Sequence, residues 1–178
     1  MYLTAPAFHL PPLLCVTATL WLWSPIAMCG PAPTQIRSFH LDAPIAQVLP
    51  LFTALGEKVW ARGWEPQLLS GREERGSVFR TIHDGHETTW IVVDYRPSEG
   101  RVSYARLAQG SNMGLVDVQC RAASGGGTQV NVRYTLTGLN AQGEAFVSGF
   151  LDLEHYSRMI EEWRMAISAA LKSTKPGP

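Results

Sequence analysis

The sequence predicts an α+β domain in which a curved antiparallel sheet wraps a long C-terminal helix, with a short helical pair after the first strand. Two segments far apart in the chain carry that prediction. Phe39 to Pro66 reads as the end of a strand followed by a helical hairpin, and Leu139 to Leu171 as one long amphipathic helix. Between them lie only short alternating runs of strand type. A sheet that closes on a helix in this order leaves space between the two for an apolar small molecule. A binding module is therefore the first reading and an enzyme the second.

Each element has its own signal. Gln35 to Leu41 is the first strand, with Ile36 and Phe39 as its main apolar residues. Asp42 is placed to cap the next helix and Pro44 suits its first turn. Ile45, Val48, Leu49, Phe52 and Leu55 recur at helical spacing, and Gly56 ends the run. Glu57 to Trp64 forms a second short helical turn, broken at Gly63 and Pro66. Gln67 to Ser70, Gly76 to His83 and Glu87 to Tyr95 follow as strands, with Asp84-Gly85 as the strongest hairpin signal in the chain. Arg101 to Leu107 comes after a turn at Pro97 to Gly100. Met113 to Ala122 and Thr128 to Thr137 pair across Ser124-Gly125-Gly126-Gly127. In the last of these strands Val130, Val132, Tyr134 and Leu136 alternate with Asn131, Arg133, Thr135 and Thr137, the pattern of one buried and one wet face.

The closing helix spaces Phe146, Phe150, Leu153, Tyr156, Ile160, Trp163, Ile167 and Leu171 by threes and fours, which predicts that they are buried. Glu154, Arg158 and Glu162 are set for i,i+4 pairing on the other side.

Composition narrows the function. The 178 residues suffice for one domain with a sizeable core, and 46% apolar against 17% charged residues describes a globular chain. Formal net charge is zero and no face-sized run of Lys or Arg occurs, so a nucleic-acid partner has no electrostatic footprint here. Three cysteines, Cys15, Cys29 and Cys120, are too few for a disulfide framework. Cys120 falls on an apolar strand face, as a buried free thiol would.

Residues 1–30 stand apart as an apolar leader, an anchor or a miscalled start. Leu10 to Met28 carries no charge and has roughly the length that crosses a bilayer. Yet no Lys or Arg precedes it, Pro11, Pro12 and Pro25 interrupt a spanning helix, and Met28 is too large for the position before a lipoprotein cysteine at Cys29. The compartment follows the start: cytoplasmic if translation begins at Met28, exported or membrane-anchored otherwise. Membrane contact is expected only if residues 10–28 are retained. The domain is expected over 35–172 and a frayed tail over 173–178.

With these elements placed, the chain resembles the START-like, or SRPBCC, superfamily, the polyketide cyclase/dehydrase and lipid-transport group. The resemblance rests on Ala43-Pro44 opening the first helix, Leu51-Phe52 within it, and Glu57 with Trp60, Gly63 and Trp64 after it. It continues through Gly76-Ser77-Val78-Phe79, Trp90, Thr135-Leu136-Thr137-Gly138-Leu139 and the helix from Tyr156 to Trp163. It covers about Gln35 to Lys172 and implies a helix-grip fold. Members bind lipids, sterols, quinones, polyketides or plant hormones, and some are cyclases or co-chaperones, so fold alone does not choose among these.

Trp60, Trp64, Phe79, Trp90, Tyr104, Tyr134, Tyr156, Met159 and Trp163 are the candidate ligand contacts. For any one of them, filling the core competes with touching a ligand, because pockets and cores share this composition. Trp90 and Trp163 are expected on opposite walls of one cavity or core. Glu57, or alternatively a tyrosine, is the candidate for acid–base work, since an apolar wall beside Glu57 would raise its pKa; the competing role for Glu57 is a structural bond to backbone amides or to Arg62.

No metal is expected. His83 and His86 face each other across a tight turn, but a structural site wants four ligands and hairpin tips are solvated. His155 either borders the pocket mouth or faces solvent. The Gly125-Gly126-Gly127 run lacks the lysine and helix start of a phosphate cradle, and no nucleophile elbow occurs, so no cofactor is implied.

Overall fold

The computed structural model describes residues 30–83 and 85–173. Residues 1–29, with the expected leader, anchor or miscalled start, Asp84 of the hairpin tip and nearly all of the expected tail lie outside the described residues. The compact unit considered below begins at Pro31.

Seven strands make one antiparallel sheet: β1 (Thr34–Leu41), β2 (Gln67–Ser70), β3 (Val78–His83), β4 (His86–Arg96), β5 (Arg101–Ala108), β6 (Asn112–Ala122) and β7 (Thr128–Gly138). Their order is β1-β7-β6-β5-β4-β3-β2, so every neighbour from β2 to β7 is a simple hairpin and only β1 returns to the far edge beside β7. Alternation fixes the inner face. Val102, Tyr104 and Arg106 of β5 point the same way as Val116, Val118 and Cys120 of β6 and Val130, Val132, Tyr134 and Leu136 of β7. Cys120 is a buried free thiol, and burial pushes its pKa up to about 12.

Two expected helices come out shorter. The first is a single turn, α1 (Ile45–Val48), followed by a 3-10 turn at Leu49–Phe52 and another at Gly56–Val59. Pro50 explains this: it has no N–H to continue the α-helical ladder. Asp42 does not cap α1. Its carboxylate meets His40 Nε2 at 3.0 Å, and the cap position is Pro44, which makes no side-chain bond. Gly56 opens the second 3-10 turn rather than ending the helix, and Leu55 is exposed.

The closing helix is broken into α2 (Ala141–Phe150) and α3 (Leu153–Ser173). Asp152 makes the break, because its Oδ1 accepts from the backbone N–H groups of Glu154 and His155, both at 3.1 Å, and so caps a new helix. Asn140 caps α2 in the same way, accepting from Gly143 N at 2.8 Å. The break leaves Leu153 57% exposed, and Phe146, 45% exposed, borders the space between helix and sheet rather than a sealed core, where one continuous stripe predicted burial. Tyr156, Ile160 and Ile167 keep the inward face of α3 and join the core. α3 packs on β1, while α2 packs on β7 and β6. Among the described residues no helix is long and apolar enough to cross a membrane.

Candidate ligand cavity between sheet and closing helix

Sheet and helices do not close fully. A cavity of about 330 Å³ remains, walled by the inner faces of β3 to β7, the 3-10 turns after α1, and residues of α2 and α3. That volume lies within the roughly 300–1,000 Å³ of small-molecule sites.

Local geometry aims the rings. Trp60 Nε1 donates to Leu51 O at 2.6 Å and Trp64 Nε1 to Ala54 O at 2.8 Å, so both indoles are tethered to the preceding turn and present their faces. Trp90 Nε1 donates to Thr81 Oγ1 at 3.0 Å across β3 and β4, and the Tyr104 hydroxyl donates to Phe52 O at 2.8 Å. Each ring thus satisfies its polar end on the protein and turns an apolar body to the cavity. Phe79 stacks on Trp90 with centroids 5.8 Å apart, and Trp64 meets Trp90 edge-on at the same separation. Across the cavity Trp163 lies edge-on to Trp60 at 5.3 Å and to Tyr134 at 6.4 Å.

Of the residues singled out in the sequence, Trp60, Trp64, Phe79, Trp90, Tyr104, Tyr134, Met159 and Trp163 all border the cavity, and Trp90 and Trp163 stand in different walls of it. Tyr156 does not border it. The ring is wholly buried, packs edge-on against Tyr134 at 6.0 Å, and donates its hydroxyl to Val132 O at 3.1 Å, which makes it core. His155 is exposed and tilts against Phe150 at 6.0 Å. His83 and His86 sit in register at the tip of the β3–β4 hairpin, both exposed, with His83 at the cavity rim. Among the described residues no three His, Cys, Asp or Glu side chains gather where they could hold a metal.

Glu57 is held in place by Thr53, whose carbonyl accepts from Glu57 N at 3.0 Å while its hydroxyl donates to Pro50 O at 2.8 Å. The carboxyl group makes no hydrogen bond or ion pair among the described residues, with Arg62 or with any backbone amide. The residue is partly buried and borders the ring-walled cavity. Desolvation there pushes its pKa up from 4.5 to about 8. Its field, after burial, helps to raise the Tyr104 phenol.

Among the lining residues not singled out in the sequence as ligand contacts, one is charged and buried. Arg106, on β5 two residues after Tyr104, retains 9% of its surface. Its guanidinium lies over the Trp90 ring at 5.3 Å, and its buried Nε has no hydrogen-bond acceptor. Strict alternation from Val102 and Tyr104 was the available signal, because it places Arg106 on the inner face. The Tyr134 phenol, raised chiefly by burial, feels Arg106 and Glu57 with opposite sign. Glu57, Arg106 and Tyr134 therefore bring interacting polar groups to a largely apolar cavity.

No family model matches the chain, and no curated protein does. Solved structures do. An uncharacterised protein from Rhizobium leguminosarum superposes with a TM-score of 0.59 at 20% identity, covering 77% of this chain and 95% of its own. The chain shares their fold, a curved antiparallel sheet gripping a long C-terminal helix. Ginseng major latex-like protein 151 from Panax ginseng shares it at a TM-score of 0.59 and 15% identity, covering 79% of this chain and 97% of its own. DynU16, a protein of the dynemicin biosynthetic locus, shares it at 0.50 and 18% identity, over 74% of this chain but 48% of its own. At these identities the likeness is one of fold.

Proposed function

We propose that this START-like domain reversibly binds one apolar or amphipathic small molecule, such as a lipid, a quinone or a polyketide-like aromatic, between the sheet and α3. The observation that carries the reading is the ring-walled cavity of about 330 Å³, in which Trp60, Trp64, Trp90 and Tyr104 spend their polar ends on the protein and leave apolar faces open. A co-chaperone-like module, the third role known for this fold, would have a closed interior. The test is a thermal-shift and tryptophan-fluorescence screen against a panel of fatty acids, quinones and polycyclic aromatics. Saturable quenching with a raised Tm for at least one class supports the proposal; no shift and no quenching across the panel overturns it.

One observation favours a second reading, a cyclase or dehydratase acting on a poly-ketone chain. Glu57, with its pKa near 8 and the Tyr134 hydroxyl within electrostatic reach, has the makings of a proton-transfer group at neutral pH. Under this reading Glu57→Gln abolishes turnover of a bound poly-β-ketone thioester while leaving its binding intact. If wild type binds that surrogate and leaves it unchanged, the enzyme reading fails and the carrier reading stands.

A further inference from the structure

The polar groups of the cavity also specify the charge of its occupant. Arg106 is nine-tenths buried, borders the cavity, and forms no ion pair or hydrogen bond among the described residues. A guanidinium stays protonated inside a protein, so an unpaired one at this depth is costly, and native proteins supply it with an anion. No described residue supplies one. Glu57, the acidic residue bordering the same cavity, is held up to about 8 and is therefore mostly the neutral acid at physiological pH. Arg62, exposed at the mouth, adds a second cation along the way in. Contact with the Trp90 face offsets part of the desolvation, but leaves the guanidinium edge and its N–H donors unanswered.

Resting on the small-molecule reading above, we infer that the ligand is an organic anion: an apolar, ring-sized body bearing one carboxylate, sulfonate or comparable acidic group that pairs with Arg106. The body lies among Trp60, Trp64 and Trp163, and the acid reaches the β5 wall. The neutral Glu57 carboxyl and the Tyr134 hydroxyl remain as hydrogen-bond donors for an oxygen on the same molecule.

Two fluorescent probes that share one aromatic body test this. 8-Anilinonaphthalene-1-sulfonate carries the anion and N-phenyl-1-naphthylamine does not. Binding is followed in the whole protein by quenching of tryptophan emission, with unrelated apolar sites excluded by mutual displacement of the two probes. The inference expects the sulfonate to bind at least about tenfold more tightly than the neutral probe, the size of one charge-assisted hydrogen bond. Arg106→Met should remove that preference while leaving the Kd for the neutral probe within about twofold. Equal Kd values in the wild-type protein, or a preference that survives Arg106→Met, overturn the anion assignment and leave the cavity reading in place. Binding of neither probe overturns the anion assignment, and if the lipophile panel is silent too, the cavity reading falls with it. The wild-type comparison needs no variant, so a misfolded Arg106→Met protein would not spare the inference; Arg106→Lys, checked by circular dichroism, is then the second variant, and should keep part of the preference.

Discussion

Trp60 and Trp163 meet edge to face with their centroids 5.3 Å apart, and this contact joins the turn after α1 to the closing helix across the cavity. The two rings approach from segments a hundred residues apart, so the cavity exists only once the chain has folded around it.

Because Trp163 borders open space and Phe52 is wholly enclosed, truncating them should have unequal effects. Phe52→Ala removes a ring packed on all sides and is expected to lower stability by about 3–5 kcal/mol. Trp163→Ala enlarges a space already present, and is expected to cost noticeably less, about 1–3 kcal/mol. Urea denaturation of both variants checks the ordering. Trp163→Ala should also diminish ligand-induced quenching, and equal losses of stability for the two variants would place Trp163 in a sealed core.

Glu57 makes stability depend on pH with a definite sign. Its folded pKa, about 8, lies above the ordinary 4.5, so folding favours the protonated form. Below about pH 4.5 both states hold the proton and nothing is lost; between there and about pH 8 the unfolded chain releases it first, so stability falls as pH rises, and above that the loss is complete. Glu57→Gln removes the ionisation. Relative to wild type it should stabilise at about pH 9 by a few kcal/mol and differ little at about pH 5. A Tm difference between the two proteins that does not change with pH would place Glu57 in water.

Gly143 lies where the start of α2 presses on the β5–β6 turn and on Gly138 at the end of β7. A methyl group at Gly143 would run into the Ser111 carbonyl, and backbone atoms cannot give as a side chain tip can. Gly143→Ala, helpful in an ordinary helix, is expected to destabilise here by about 1–3 kcal/mol and to displace α2 with Phe146 and Phe150. Unchanged stability in denaturant would show that α2 is free to shift away at no cost.

The sheet was the legible part of the sequence. Val130 to Thr137 alternates without exception, and such a run admits one inner face and one register, which the Tyr134–Val116 and Val132–Val118 pairs then realise. The helices were less legible because apolar spacing is blind to backbone hydrogen bonds. Pro50 and Asp152 stand inside runs of good helical period, and each redirects the chain through an N–H it lacks or a pair of N–H groups it caps. Tyr156 and Tyr134 have the same side chain and opposite surroundings, a distinction set by which way α3 faces after the break. Arg106 carried a readable signal in its parity with Tyr104, but one charge in an alternating strand reads as an edge until neighbouring strands show it to be enclosed.

Native mass spectrometry of the protein purified from its own cells tests the central claim most directly. A bound small molecule should appear as one discrete added mass per chain, released by organic extraction and recovered as an apolar compound. A protein that emerges at its bare mass, and that no lipophile then stabilises, would contradict the account of a ligand-binding cavity between the sheet and α3.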